Sequence, residues 1–296
     1  AGTLPESNRK AERFMRIKNN ISALNSSRNH GIVQEQLGKS LEKLSSGYRI
    51  NRAGDDAAGL AISEEMRHQI NGLDQAMRNV NDGIGMTRTG EGALAEVHSM
   101  LHRMKTLAIQ AANGTYSSAA RANIEEERLQ LLDEIDRISA NTDFNQIPLF
   151  DTEVPAEPFE PPKKKDDITL QIGHTQKEEM PVARYHISSK ALKLDKTDFK
   201  GVGKANASVE YIDKAIWAVT TVRSSFGAAE DHLEHTHNSL GVTKENMTAY
   251  ESGIRDTNTA SEVTKLTSLN IVGQAAQSIQ AHSNSLPEMI LRLLQA

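Results

Sequence analysis

MRHQINGLDQAMRNVNDGI, residues 66–84, is the stretch that decides the fold. Its apolar positions are Met66, Ile70, Leu73, Met77, Val80 and Ile84. The steps between them run four, three, four, three, four, the heptad seam of a helix that lies along another helix. Upstream, Ser45-Ser46-Gly47 and Gly54-Asp55-Asp56 carry turn chemistry and mark where this helix begins. Downstream, Gly83, Gly85, Gly90 and Gly92 loosen the pattern without a proline, and Leu94, Val97, Leu101, Met104 and Ala108 resume it. The reading is one helix from Ala57 to about Ala112, roughly 80 Å long at 1.5 Å per residue. Nothing of that length closes into a globule by itself.

One further segment can fold back on it, and others carry seams of their own. Asn113-Gly114-Thr115 reads as a turn, after which Ile124, Leu131, Ile135 and Ile138 give a helix that folds back. In the C-terminal third, Ile212, Val219, Phe226, Leu233, Leu240, Met247 and Ile254 recur every seven residues. Val209 and Ile216 fill intermediate positions of that seam, while Arg223, Glu230, His237 and Lys244 fill the later ones, so the seam is one-sided and needs a partner. At the two ends, Ile21, Leu24, Leu37, Leu41 and Leu44 and then Leu266, Leu269, Ile279, Leu286, Ile290 and Leu294 mark amphipathic helices. These residues are read as the assembly seam, with the N- and C-terminal helices pairing antiparallel. The middle is different. Pro148, Pro155, Pro158, Pro161 and Pro162 exclude helix, and alternation at Ile168, Leu170 and Ile172, and at Ala183, Tyr185 and Ile187, predicts a β-hairpin over about 165–190. The fold class is mainly α, a long coiled-coil-like bundle with paired terminal helices and a small hairpin region.

Composition agrees with thin helices rather than a thick core. Aromatic residues are only 4% and hydrophobic residues 38%, which suits Ala/Leu/Ile seams. The balance of 34 Lys plus Arg against 39 Asp plus Glu leaves a net charge of −5, without the basic face of a nucleic-acid binder. There is no cysteine, which suits a chain that travels unfolded and never forms disulfides. No window is apolar enough for membrane insertion, and no signal peptide is recognisable. No catalytic constellation stands out, and no cofactor is expected. His98 and His102 have the four-residue spacing of a helical metal pair, but Ser99 stands where the zinc-peptidase motif needs Glu. His232, His235 and His237 scatter round a helix, so spacing alone assigns no metal.

The run Lys43-Leu-Ser-Ser-Gly-Tyr-Arg-Ile-Asn-Arg-Ala-Gly-Asp-Asp-Ala-Ala-Gly-Leu-Ala-Ile-Ser63 closely resembles the N-terminal signature of bacterial flagellins. So do Met15–Arg28, Gly90-Glu-Gly-Ala-Leu94, Asp143-Phe-Asn145, Ile168–Gly173, Ser208–Ile216, Val222–Ala228 and the C-terminal run through Leu294. The resemblance implies a minimal flagellin with core domains alone. Residues 15–57 with 255–296 would form the inner coiled-coil domain of a filament, 58–254 a rod-like outer domain, and 1–14 an extension or tag. Arg49, Asn51, Asp55 and Asp56 would hold the inter-domain connection by polar contacts. The family also implies a helical homopolymer for motility, export through the flagellar type III apparatus to the cell exterior, an export chaperone, and cap and junction proteins. It implies recognition by Toll-like receptor 5 at the matching positions Arg103, Leu107, Gln110 and Glu127. A hook–filament junction protein is the alternative within the same class, and a secreted receptor ligand is the alternative from another.

Overall fold

The computed structural model describes residues 20–151 and 167–295. The extension 1–14, the start of family likeness at Met15 and the prolines 155–162 lie outside the described residues, as do the side chains of Leu286, Ile290 and Leu294. Five long helices carry the described chain: α1 (Ile21–Ser46), α2 (Ala57–Ala112), α3 (Ser118–Asn141), α4 (Val202–Arg255) and α5 (Thr259–Gln295). Among the described residues, six short strands lie between α3 and α4: β1 (Asp143–Phe144), β2 (Ile147–Pro148), β3 (Phe150–Asp151), β4 (Ile168–Gln171), β5 (Glu179–Val182) and β6 (Tyr185–His186). They are followed by a single 3₁₀ turn at Leu194–Lys196. The chain divides into two compact units, one made of the chain up to Arg67 with the chain from Thr248, the other His68–Met247.

In the first unit, α1 and α5 pair antiparallel. Asn20 opens α1 as its N-cap, accepting from the Ala23 amide at 3.1 Å, and its own amide donates to the Ser283 carbonyl across the pair at 2.8 Å. Gly47 closes α1 at φ 76°, returning its N–H to the Lys43 carbonyl. That left-handed cap favours glycine because any Cβ is strained there.

In the second unit, the core is a seam shared by α2, α3 and α4. Leu94, Val97, Leu101, Met104 and Leu107 of α2 meet Ile124, Leu132 and Ile135 of α3 and Ile212, Val219 and Phe226 of α4, with Phe150 and Phe199 from the connections. The expected seven-residue series on α4 is buried from Ile212 through Leu233. The polar residues interrupting it find polar partners on α2. Arg223 pairs with Glu91 at 3.1 Å, Glu230 with Arg88 at 2.6 Å and Lys244 with Asp74 at 2.5 Å, and His237 lies 3.4 Å from the Asn81 amide. The order of these pairs makes α2 and α4 antiparallel.

Glycine inside α2 weakens the helix by about 0.5–1 kcal/mol per site relative to alanine. Close approach explains two of these sites. A Cβ on Gly83 would stand 2.6 Å from Leu170 Cδ1, and one on Gly90 would stand 2.7 Å from Phe226 Cε1. Each glycine therefore admits a large side chain that seals the core.

The hairpin differs from its sequence reading in register. Strand β4 pairs antiparallel with β5, Ile168 opposite Val182 and Gln171 opposite Glu179, not with Ala183–Ile187. Glu178 sets the shorter return, its carboxylate accepting from the Thr175 amide at 3.1 Å and its carbonyl from the Ile172 amide at 3.0 Å. Tyr185 is drawn away to pair, as β6, parallel with Phe150 of β3. There its hydroxyl lies 2.7 Å from that of Ser225 and its ring 6.2 Å from that of Phe226. A second hairpin, β1–β2, turns through Asn145 and Gln146, both at positive φ, the geometry of a two-residue primed turn.

Candidate functional site

The α1–α5 seam is built from small and polar side chains. On α1 the sheltered positions include Ala23, Ser26, His30, Val33, Leu37, Ser40 and Leu44; on α5 they are Glu262, Leu266, Leu269, Gly273, Ala276, Gln280 and Ser283. Both sets step by three and four, so this is a heptad seam, but a thin one. Ser40 donates its hydroxyl to the Glu262 carboxylate inside it. Gly273 lets α5 close on α1, since a Cβ there would touch Val33 at 3.6 Å.

The sequence reading placed the apolar residues of α1 on a single face, and the structure separates them into two. Leu37 and Leu44, with Leu266 and Leu269 opposite, are partly sheltered in the seam. Ile21, Leu24, Leu41 and Ile279 are exposed, Leu24 at 66% and Ile279 at 61%. Ile32, Val263, Ile271 and Val272 join them, with Ile271 at 63%. Val263 and Val272 fall in the amphipathic series of the C-terminal segment, whereas Ile32 and Ile271 fit neither series and went unread. The missed signal is the seven-residue recurrence of Ser26, Val33 and Ser40, interleaved with His30, Leu37 and Leu44. The small seam and the large exposed residues together give helices that are apolar on more than one side, a pattern that belongs to buried helices.

The connection residues all make polar contacts within this unit. Arg49 donates to the Ile254 carbonyl at 2.5 Å through its guanidinium and to the Arg255 carbonyl at 2.7 Å through its amide. Asn51 reaches the Tyr48 carbonyl at 3.1 Å. The Asp55 carboxylate accepts from the Arg52 amide at 3.1 Å and the Asn51 amide at 3.2 Å, and those two amides, Arg52 first, hold its carboxyl below the usual range. Asp56 caps α2 by accepting from the Gly59 amide at 2.9 Å. The surrounding residues add an isolated bridge between Tyr48 and Asp256 and a bond from Arg255 to Glu64 at 2.5 Å. The Arg255 guanidinium also sits 4.8 Å over the Tyr48 ring.

The four positions matched to receptor recognition separate by depth. Arg103 on α2 and Glu127 on α3 are joined at 2.7 Å at the surface. Gln110 donates to the Tyr116 hydroxyl at 3.0 Å. Leu107 is 1% exposed and belongs to the core. Its reading as a contact residue is corrected on that ground: it supports the surface from beneath, because the helix turns that position onto α3 and α4.

A pair of end helices that meet through a thin seam and turn large apolar residues outward is the build of a subunit completed by other subunits. Comparison with known proteins defines the family. The chain matches the bacterial flagellin N-terminal helical region over residues 17–154 and the bacterial flagellin C-terminal helical region over residues 209–294. It is 44% identical to a flagellin of Halalkalibacterium halodurans and 40% identical to a flagellin of Bacillus subtilis, in each case over 95% of this chain and all of the relative. A flagellar hook-associated protein from Vibrio parahaemolyticus shares the fold, with a TM-score of 0.57 at 14% identity over 68% of this chain and all of that one. The chain belongs to the bacterial flagellin family, and it is a structural subunit of the flagellar filament. Among the described residues no helix is long and apolar enough to cross a membrane.

Proposed function

We propose that the chain polymerises through the apolar side chains that α1 and α5 turn outward, residues 15–57 with 255–296 forming the inner tube and 58–254 the outer rod. The observation that carries this reading is the exposure of Leu24, Ile271 and Ile279 on helices whose mutual seam is too thin to use them. A neighbour's helix supplies the missing face, and a contact of that kind that does not close into a ring extends as a helical polymer. Arg49, Asn51, Asp55 and Asp56 fasten the connection from which inner and outer parts diverge. The chain works without catalysis, leaves the cell through the flagellar type III apparatus in the care of an export chaperone, and is retained by cap and junction proteins. The hook–filament junction alternative is disfavoured by full-length identity of 44% and 40% to flagellins. Negative-stain electron microscopy after seeding or salting-out tests the proposal. The full chain is expected to give long uniform filaments and a chain lacking 255–296 none; filaments from the truncated chain would sink it.

The second reading is recognition of the free subunit by Toll-like receptor 5. It is supported by Arg103, Gln110 and Glu127, which match the family's contact positions and lie at or near the surface of α2 and α3. Arginine is a frequent anchor at interfaces. Replacing Arg103 by Ala is expected to weaken binding to the purified receptor ectodomain about tenfold, or about 1.4 kcal/mol. Unchanged binding in surface plasmon resonance would remove this surface from the interface.

A further inference from the structure

We infer that His98 and His102 form a two-imidazole chelate for a divalent transition-metal ion of the copper(II) or nickel(II) type. The two side chains stand one turn apart on α2 and converge, with Nε2 3.0 Å from Nε2 and ring centroids 4.5 Å apart at 72°. Their placement is fixed by the helix, since residues four apart share a face, and by the core, since Val97 and Leu101 beside them are buried in the α2–α3–α4 seam. His98 is half-buried and His102 exposed, so the pair is anchored from below and open above.

Two imidazole nitrogens this close can take neighbouring positions on one ion, which would replace the direct contact between them. Copper(II) and nickel(II) accept nitrogen and oxygen donors in square or tetragonal geometry, and copper(II) stands above zinc in affinity for such donors, whereas zinc prefers the tetrahedron. Among the described residues no third His, Cys, Asp or Glu joins the pair. The chelate therefore supplies two adjacent positions and leaves the rest to water or an outside donor. The nearby Arg223 guanidinium is paired with Glu91 at 3.1 Å. In a filament the chelate recurs once per subunit.

Isothermal titration of the full chain with CuSO₄, NiSO₄ and ZnSO₄ tests this, alongside His98→Ala, His102→Ala and a triple variant with His232, His235 and His237 all changed to Ala. The expected result is one copper or nickel ion per chain, bound more tightly than zinc. Either single variant should weaken binding at least about tenfold, since even lost outer partners of metal ligands cost about 10–100-fold. The triple variant should bind as the parent does. Electron paramagnetic resonance of the copper form should show coupling to two nitrogens that the His102→Ala variant lacks. His102 is exposed, so its removal leaves the core intact, and helical circular dichroism verifies that. Binding that persists in both single variants, or disappears only in the triple one, would overturn the assignment; so would no binding, which would leave the two rings as a neutral hydrogen-bonded pair.

Discussion

Arg128→Ala is expected to lower the stability of the His68–Met247 unit by about 3–5 kcal/mol, the cost of breaking one side of a buried ion pair. Arg128 and Glu125 are each 5% exposed on α3. The guanidinium grips the carboxylate with two bonds, Nε to Oε2 at 2.8 Å and Nη2 to Oε1 at 2.7 Å. Every remaining bond of the pair reaches into the connection before α4. Arg128 Nη1 donates to the Thr197 hydroxyl at 3.0 Å, the Phe199 amide donates to Glu125 Oε2 at 3.0 Å, and the guanidinium lies 5.6 Å from the Phe199 ring centre. The pair is thus a clamp that fixes 197–199 on α3, beside a second clamp in which the Asp136 carboxylate accepts from the Ser189 amide and hydroxyl, each at 2.7 Å. Removing Arg128 leaves Glu125 buried with a backbone amide as its main remaining donor, and a buried carboxylate without a counter-charge is costly. For a unit of this size the loss corresponds to a fall in melting temperature of about 10 °C, read by circular dichroism. Glu125→Leu with Arg128→Met together should recover much of it, because neither charge is then stranded. A single variant that melts with the parent would show that the clamp contributes little.

That clamp was illegible in the sequence for a physical reason. Glu125-Glu126-Glu127-Arg128 reads as a solvated helix face, and what buries its first and last members is a chain segment some seventy residues further on. The seams of α2 and α4 were each legible because their apolar residues recur at heptad spacing, but that they face one another was not. The roles of Arg223, Glu230 and Lys244 were legible only as gaps until Glu91, Arg88 and Asp74 stood opposite them. The hairpin was readable as alternation but not in register, because the Glu178 return and the pull of Phe226 on Tyr185 are tertiary. The turn over residues 45–56 could be read because turn chemistry is local, whereas Arg49, Asn51, Asp55 and Asp56 were singled out within it by the family resemblance. The terminal helices were misassigned by face because apolar size stood in for position. Leu24 and Leu37 look alike in sequence, yet only the heptad of small residues puts the second in the seam and the first outside it.

That difference in face leads to the second large effect. Ile271→Asp, and separately Leu24→Asp, are expected to abolish filament formation while leaving the subunit folded. Both residues are more than 60% exposed in the single chain, so the change removes little internal packing, and surface substitutions of this kind shift stability by only about 0.5 kcal/mol. In a polymer that covers these faces the balance reverses. Burial of each Leu or Ile contributes about 1.5–3 kcal/mol, and a carboxylate in its place carries a desolvation penalty of several kcal/mol. Both terms recur at every subunit, so the critical concentration rises beyond reach rather than by a small factor. Gly273→Leu gives the complementary case. It adds bulk in the seam, where even a Cβ already touches Val33 at 3.6 Å, so it should lower the helicity and melting temperature of the subunit itself. Sedimentation after seeding, with circular dichroism on the same samples, separates the two classes. Ile271→Asp that pellets as filaments at the parent concentration would mean that this face stays in water, and that the polymer is held by other surfaces of the chain.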